Sequence, residues 1–245
     1  MKAVNSYTVV LPAAGIGSRM QASIPKQYLQ IAGKTVIEHT IAALLSHSRI
    51  KSVVVVLHPD DTQFSTLKCA DSPQVFTCVG GDERVDSVLS GLRACLVTNA
   101  QSDNDWVLVH DAARPCVSHD EIDDLLAIQA YSVGGILATP VSDTLKLSSD
   151  LSDDIEAPHV QRTVDRTRLW QAQTPQFFPL KELLHAIEQA QQDKIKMTDE
   201  ASAMEHIGTK VKLVEGRSSN IKITRPSDLS LAEFYLNLNN KQGGN

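Results

Sequence analysis

Short apolar runs alternate with segments of helical periodicity along the first half of the chain. The clearest run holds the four consecutive valines Val53 to Val56, which are typical of a strand buried on both faces of a parallel sheet. Five such runs are separated by polar or small residues. Strands are therefore predicted at residues 7–11, 52–57, 74–79, 106–110 and 135–141.

Helical spacing of apolar residues fills the gaps between these strands. Thr35 and Glu38 form a capping-box pattern ahead of one helix, and Ser118 and Glu121 form the same pattern ahead of another. Helices are predicted at residues 35–47, 86–97 and 118–128. This alternation predicts an α/β fold with a mostly parallel sheet and helices on both faces.

The pattern changes after residue 141. Residues 143–147 are predicted as a strand, and the polar, acidic residues 148–158 as an exposed loop or an arm that leaves the main body. The remaining predictions are helices at 180–191, 198–207 and 226–238, strands at 210–214 and 221–224, and a disordered tail at 239–245. Residues 1–238 are expected to form a single domain.

Composition narrows the class of protein. The 245 residues carry a formal net charge of −6, which disfavours general nucleic-acid binding, but a local cluster of basic side chains can still hold a small polyanion. No apolar run reaches the length of a membrane span, and no secretory signal opens the chain. The four cysteines match no zinc or redox spacing, so a cytoplasmic protein is expected.

The first candidate for chemistry follows the first strand, where the sequence reads Leu-Pro-Ala-Ala-Gly-Ile-Gly-Ser-Arg-Met. Gly15 and Gly17 can adopt positive φ, so that successive N–H groups point into one concavity and bind phosphate. Arg19 and Lys26 lie close in sequence and add positive charge. The alternative is a tight strand-to-helix turn with no ligand.

Two better-known glycine motifs do not fit. A dinucleotide-binding fingerprint requires a third glycine where Met20 stands. A P-loop requires glycine five residues before Gly33, where Tyr28 stands. The loop is therefore interpreted as a different type of phosphate site.

Two further clusters follow predicted strands, at the strand ends where open α/β sheets bind ligands. Residues 80–87 read Gly-Gly-Asp-Glu-Arg-Val-Asp-Ser, in which the backbone near Gly81 and the Ser87 hydroxyl could contact a base. The alternative is an acidic helix N-terminus. In the second cluster, Asp111 suits a ribose hydroxyl or a metal ion and Arg114 a phosphate, whereas the alternative is a surface ion pair.

Weaker candidates lie in the second half of the chain. Thr174 precedes a proline, which favours extended backbone and leaves its hydroxyl free for a ligand, and Arg166 lies beside the predicted arm. Thr198 has the residue type and position of a helix cap. Lys222 alternates with apolar neighbours and should point away from them, as an exposed strand lysine also would.

Taken together and in order, these segments resemble the family of 2-C-methyl-D-erythritol 4-phosphate cytidylyltransferases of the non-mevalonate isoprenoid pathway. No single segment is decisive, but the ordered set is highly specific and extends over nearly the whole chain. The matching segments are residues 11–20, 25–28, 80–87, 110–115, 163–166, 174–178, 198–202 and 220–226.

The resemblance implies a single Rossmann-like domain with a β-arm at about residues 142–168 that interlocks two subunits of a homodimer. It implies three groups of functional residues. Arg19, Lys26 and Lys222 would be catalytic; Ala13, Ala14, Gly15, Gly17, Gly81, Asp82, Ser87, Asp111 and Ala112 would bind CTP; and Asp111, Arg114, Arg166, Thr174, Thr198 and Lys222 would bind the sugar-alcohol phosphate. Arg166 and Thr198 would act from the partner subunit.

The implied reaction transfers CMP from CTP to 2-C-methyl-D-erythritol 4-phosphate and releases diphosphate. A phosphate monoester is largely dianionic at neutral pH and needs no general base, so positioning and positive charge should carry catalysis. Mg²⁺ or another divalent cation is expected on the CTP phosphates, with Asp111 as its candidate protein ligand. Two alternatives stay open: a ribitol 5-phosphate cytidylyltransferase, which Ala113 disfavours, and a catalytically silent nucleotide-binding module.

Overall fold

The computed structural model describes residues 5–15, 24–98, 105–131, 134–149 and 159–242. The strands are β1 (Tyr7–Pro12), β2 (Gln30–Ile31), β3 (Lys34–Thr35), β4 (Ile50–Leu57), β5 (Val75–Val79), β6 (Trp106–Val109), β7 (Gly135–Pro140), β8 (Leu145–Ser148), β9 (Val160–Val164), β10 (Trp170–Pro179) and β11 (Lys212–Glu215). The α-helices are α1 (Val36–Leu45), α2 (Arg84–Thr98), α3 (His119–Ala127), α4 (Leu180–Gln192), α5 (Glu200–His206) and α6 (Ser227–Gln242).

The central sheet has seven strands in the order β11-β7-β10-β6-β1-β4-β5. The half formed by β6, β1, β4 and β5 is parallel throughout. β10 runs antiparallel to both β6 and β7, while β11 pairs parallel with β7. The prediction of a mostly parallel α/β sheet is confirmed, with β10 as the antiparallel exception.

Alternate residues of the central strands pack on opposite faces of the sheet. Val9 and Leu11 of β1 lie in a buried cluster with side chains of α1 and α3, whereas Val10 lies in a second cluster with α2 and α4. All three side chains have no exposed surface. Successive strand residues point to opposite faces, and burial on both sides explains why these strands are continuously apolar.

Two of the predicted helix starts are confirmed atom by atom. The hydroxyl of Thr35 accepts the N–H of Glu38, whose carboxylate in turn accepts the N–H of Thr35. Ser118 and Glu121 make the same reciprocal pair at the start of α3. The cap predicted at Thr198 is wrong, because Asp199 supplies the oxygen that accepts the N–H of Ser202 at the start of α5.

Three other predictions need correction. Residues 170–179 form the long strand β10, which the proline-containing sequence did not indicate. Residues 221–224, predicted as a strand, form no strand and belong to no sheet. α6 continues to Gln242, four residues beyond its predicted end and into the segment predicted as a tail.

The predicted arm contains a two-stranded antiparallel ribbon that is separate from the central sheet. β8 pairs with β9, and the backbone hydrogen bond from Val141 to Leu169 closes the base of the ribbon at 3.0 Å. Most ribbon side chains are exposed, including the apolar Leu147 and Val160. Residues 150–158 lie outside the described part of the chain.

Among the described residues, no helix is both long enough and apolar enough to cross a membrane.

Candidate active site

The candidate site lies where parallel strands of the central sheet end. β1, β5 and β6 stop at Pro12, Val79 and Val109, and the loops that follow them meet at one edge of the sheet. These loops surround an open cavity of about 650 Å³, which includes space open to solvent. This is the edge at which α/β sheets of this type bind ligands.

Most of the predicted nucleotide-binding residues line this cavity. The predicted site residues on its wall are Ala13, Ala14, Gly15, Lys26, Gly81, Asp82, Ser87, Asp111, Ala112 and Lys222. Pro12, Gln27, Glu83, Arg84 and Ala113 also line it and were not predicted as site residues. The predictions for Gly17 and Arg19 lie outside the described residues.

Ala13, the first residue after β1, is held at both its N–H and its carbonyl. The N–H of Ala13 donates to the carbonyl of Val56 at 2.8 Å, and the carbonyl of Ala13 accepts the side-chain amide of Gln27 at 2.7 Å. Gly15 does not adopt positive φ, so that part of the prediction is wrong at this residue. A Cβ added to Gly15 would meet no atom of the described residues within 4 Å.

The loop after β5 approaches the first loop closely. A Cβ at Gly80 would lie 2.6 Å from Oγ of Ser87 and 3.0 Å from Cβ of Ala14. A side chain at position 80 would therefore force Ser87 and Ala14 to shift. Glycine favours the close packing of the two loops, in which Ser87 is buried.

Asp111 is the electrostatic centre of the site. Its carboxylate is 2.8 Å from Nζ of Lys222, 3.3 Å from the guanidinium of Arg84 and 3.6 Å from Nε of Arg114. Burial raises the pKa of Asp111, but the charges of Arg84, Lys222 and Arg114 outweigh it and hold that pKa well below its ordinary value. Asp111 is therefore ionised and neutralised by surrounding cations.

The pairing of Arg84 with Glu200 joins two segments that are far apart in sequence. Arg84 donates to both carboxylate oxygens of Glu200, at 2.7 and 3.2 Å. Burial lowers the pKa of Arg84, but the charges of Glu200 and Asp111 raise it by more. The sequence offered no signal for this pair, because Glu200 reads as an ordinary acidic residue in the first turn of α5.

Arg114 and Thr174 lie behind Asp111 and outside the cavity wall. Arg114 is buried and donates to the carbonyl of Asn220 at 2.6 Å, so it is not a surface partner of Asp111. The Thr174 hydroxyl accepts the N–H of Asp111 at 3.0 Å and lies 3.0 Å from Nδ1 of His110. The expectation that this hydroxyl is free for a ligand is therefore wrong in this conformation.

His110 is a structural residue. Both ring nitrogens are within hydrogen-bond distance of partners, Thr174 Oγ1 on one side and the carbonyl of Arg114 on the other. Burial lowers the pKa of His110 to about 4, against the opposing effect of the bond to Arg114. The ring is therefore neutral at physiological pH and is engaged on both sides.

The position of Lys222 is fixed by hydrogen bonds of residues before and after it in the chain. The Asn220 side chain is fully buried and donates to the carbonyl of Thr174 at 2.9 Å. The N–H of Ile223 donates to the carbonyl of Ala113 at 2.9 Å. These contacts turn Lys222 towards Asp111, while Ile223 is buried on the opposite side as predicted.

Arg166 and Thr198 do not line the cavity. Both residues are exposed, Arg166 in the turn between β9 and β10 and Thr198 just before α5. Thr198 instead borders a smaller cleft of about 270 Å³, which Arg84 and Glu200 also border. Within a single chain, these two predicted substrate-binding residues are not brought to the site.

Among the described residues, no group of three or more His, Cys, Asp or Glu side chains could hold a metal ion. Asp111 already contacts the cations of Lys222, Arg84 and Arg114, so another cation beside it would be repelled. Asp111 as the candidate protein ligand of a metal ion stays a prediction, and the cations around its carboxylate disfavour it.

The arrangement as a whole suits a polyanion that carries a nucleoside. Lys26 and Lys222 lie on the cavity wall, and the amine of Lys26 donates to the carbonyl of Ile223, next to Lys222, at 3.3 Å. Backbone groups of the first loop and small residues of the second complete the wall. Such a site can hold phosphates and neutralise the charge that develops on them.

Similarity to known proteins covers nearly the whole chain. The sequence model of the family described as IspD, 2-C-methyl-D-erythritol 4-phosphate cytidylyltransferase, matches residues 7–238. A protein of that name from Yersinia pseudotuberculosis is 55% identical over 228 residues, which are 93% of this chain and 90% of the relative.

Solved structures show the same likeness. The crystal structure of a 4-diphosphocytidyl-2C-methyl-D-erythritol synthase aligns with a TM-score of 0.79 and 35% identity over 95% of this chain and 99% of that one. The Francisella tularensis 2-C-methyl-D-erythritol 4-phosphate cytidylyltransferase aligns with a TM-score of 0.78 and 35% identity over 94% of this chain and 100% of that one.

Proposed function

Since the chain belongs to the 2-C-methyl-D-erythritol 4-phosphate cytidylyltransferase family, we propose which part of the substrates each group of cavity residues binds. The enzyme transfers CMP from CTP to 2-C-methyl-D-erythritol 4-phosphate, giving 4-diphosphocytidyl-2-C-methyl-D-erythritol and diphosphate. The observation that carries the proposal is the convergence of Lys26, Lys222 and the loop of residues 13–15 on one cavity.

We assign the two ends of the cavity to the two ends of CTP. The loop from Ala13 to Gly15 and the amine of Lys26 would hold the triphosphate. Gly81, Asp82 and Ser87, on the loop after β5, would contact the cytosine, and Asp111 and Ala112 the ribose. The support is positional, since the first group follows β1 and the second follows β5 on the same cavity wall.

In the reaction, an oxygen of the substrate phosphate attacks the α-phosphorus of CTP. The new oxygen–phosphorus bond forms as the bond to the β-phosphate oxygen breaks, and diphosphate leaves. The attacking phosphate is already largely dianionic, so no base is required, and His110 is engaged on both sides in any case. Lys26 and Lys222 would offset the repulsion between the two anions.

We propose that the divalent cation enters as part of the substrate, bound to the CTP phosphates. Mg²⁺ keeps several waters and commonly binds through substrate phosphates rather than through an all-protein cage. The cations around Asp111 and the lack of a metal-binding cluster among the described residues are consistent with this arrangement.

We also propose a homodimer in which each arm contributes to the other subunit's site. Arg166 and Thr198 are exposed and lie off the cavity wall of their own chain, which is the arrangement that a shared site requires. The ribbon exposes Leu147 and Val160, and Trp170 is exposed close to its base. Large apolar side chains exposed on the ribbon and near its base favour burial against a second copy.

Mixing an Arg166→Ala protein with a Lys26→Ala protein tests the shared site. In a mixed dimer, one site carries both substitutions and the other carries neither. With free exchange of equal amounts, about a quarter of the sites in an isologous dimer are intact, so about a quarter of wild-type activity should return. The measurement is diphosphate release before and after mixing. Absence of recovery, after mass spectrometry has confirmed mixed dimers, would remove Arg166 from the partner's site.

Substrate choice is tested by diphosphate release with CTP and each candidate alcohol phosphate. The methylerythritol phosphate should be turned over with the higher kcat/KM, and ribitol 5-phosphate poorly or not at all. Ala113 lines the cavity and leaves room beside Asp111, in keeping with this choice. Faster turnover of ribitol 5-phosphate would overturn the substrate assignment, and no diphosphate from either would support a silent binding module.

The cytoplasm is the proposed location of the reaction. The support is chemical, since the enzyme consumes CTP, which cells hold in the nucleotide pool of the cytoplasm.

A further inference from the structure

The side chain of Gln27 links the turn that carries Lys26 to the loop after β1. Gln27 lines the cavity next to Lys26 and is only 4% exposed. Its amide nitrogen donates to the carbonyl of Ala13 at 2.7 Å, a short and well-formed hydrogen bond. Lys26 to Tyr28 form a single 3₁₀ turn, which therefore contains both Gln27 and the catalytic candidate Lys26.

This hydrogen bond sets the orientation of the peptide between Ala13 and Ala14. In a trans peptide, the carbonyl of one residue and the N–H of the next point in opposite directions. With the Ala13 carbonyl held by Gln27 and the Ala13 N–H held by Val56, the Ala14 N–H must point away from the Gln27 amide. Among the described residues, no hydrogen-bond acceptor is found for that Ala14 N–H.

The turn is anchored on its other side as well. The hydroxyl of Tyr28 donates to the carboxylate of Asp61 at 2.5 Å, and Asp61 also accepts the N–H groups of Gln63 and Phe64. Burial, followed by the bond to Asp61, raises the pKa of Tyr28, so the hydroxyl keeps its proton for this bond. Gln27 therefore connects a firmly held turn to Ala13, the first residue after β1.

We propose that Gln27 is a positioning residue for the triphosphate end of the site. By holding the Ala13 carbonyl, it presents the Ala14 N–H as a hydrogen-bond donor to a phosphate, and it sets the distance between that donor and the amine of Lys26. This inference rests on the proposed assignment of residues 13–15 and Lys26 to the triphosphate.

The test compares the binding of CTP and CMP to a Gln27→Met variant. Methionine is similar in length and apolar but cannot donate to the Ala13 carbonyl. CMP keeps the base, the ribose and the α-phosphate, and lacks the β- and γ-phosphates that this end of the site would hold. We expect the affinity for CTP, measured calorimetrically, to fall about tenfold while the affinity for CMP stays within about twofold.

Gln74→Met is the matched control. The amide of Gln74 donates to the carbonyl of Lys51 at 3.1 Å, so the substitution removes the same type of bond, but from an exposed position away from the cavity. It should change neither affinity. If Gln27→Met does not fold, Gln27→Asn offers the same comparison, because it keeps the amide and shortens the reach by one methylene.

Two results would overturn the proposal. Equal losses of CTP and CMP affinity would make Gln27 a general structural residue, and unchanged affinities would make its bond to Ala13 irrelevant to the ligand. The Lys26→Ala variant separates this failure from a failure of the site assignment. If Lys26→Ala lowers the affinity for CTP more than that for CMP and Gln27→Met does not, only the role of Gln27 is wrong. If neither variant lowers the affinity for CTP more than that for CMP, the triphosphate assignment is wrong as well.

Discussion

The Lys26→Ala variant is expected to turn over CTP at least about 100 times more slowly than the wild type. The reason is that the amine offsets charge on the phosphates during transfer, and in a phosphoryl or nucleotidyl transfer that offset supplies much of the catalysis. Stability should change little, because Lys26 is only half-buried and the hydrogen bond from its amine to the carbonyl of Ile223 is long, at 3.3 Å. The measurement is kcat for diphosphate release, with thermal unfolding alongside.

Lys34→Ala controls for the loss of a positive charge. Lys34 is exposed in β3 and does not line the cavity. Its replacement removes the same charge from the protein and should leave kcat unchanged. Wild-type turnover by Lys26→Ala would show that the amine does not act on the triphosphate.

The second large effect is expected for Asp111→Asn, which should reduce both stability and activity. The substitution keeps the shape of the side chain but removes the negative charge that Lys222, Arg84 and Arg114 share. Loss of the buried carboxylate removes the ionic partner beside the buried Arg114, whereas Arg84 keeps Glu200 and Lys222 is partly exposed, so we expect a cost of up to about 3 kcal/mol of unfolding free energy. Activity should fall with it, because Lys222 loses the contact that orients its amine.

This effect should depend on pH in a defined direction. Because the pKa of Asp111 is held well below its ordinary value, its contribution to stability is fully present above the pKa of the unfolded chain, about 3.9, and is lost as the pH falls below it. The difference in unfolding free energy between wild type and Asp111→Asn should therefore be constant near neutrality and shrink in acid.

Asp120→Asn is the control for Asp111→Asn. Asp120 pairs with Arg217 at 2.6 Å, but its side chain is 75% exposed. Exposed pairs of this type contribute at most about 1 kcal/mol. If denaturant unfolding showed Asp111→Asn to be no more destabilising than Asp120→Asn, the cluster around Asp111 would not hold the site together.

Local patterns predicted much of the fold. The strand through Val53 to Val56 and the helices that start at Thr35 and Ser118 depend on contacts between residues close in sequence, and all three are present. The long strand β10 was missed because Pro175 in it cannot donate a ladder hydrogen bond, and the residues before it are polar. Pairing with β6 and β7 outweighs that local preference.

The candidate site also contains some residues that the sequence predicted and others that it did not. Ala13, Lys26, Asp111 and Lys222 were predicted from their sequence neighbourhoods and lie on one cavity wall. Glu200 was not predicted, because nothing near it in sequence indicates a partner. Its partner, Arg84, lies 116 residues away. Thr174 was misjudged for the same reason, since its hydroxyl is engaged by residues of another strand end.

The sequence by itself determined the strand-helix alternation, the two capping boxes and the positions of the glycine-rich loop and of Lys26, because each depends on periodicity or on contacts within a few residues. Only the tertiary structure decided which cations share Asp111, that Gln27 holds the Ala13 carbonyl, and that Thr174 faces inward. These contacts join strand ends and loops that are distant in sequence, and their geometry follows from sheet order and packing rather than from any local preference.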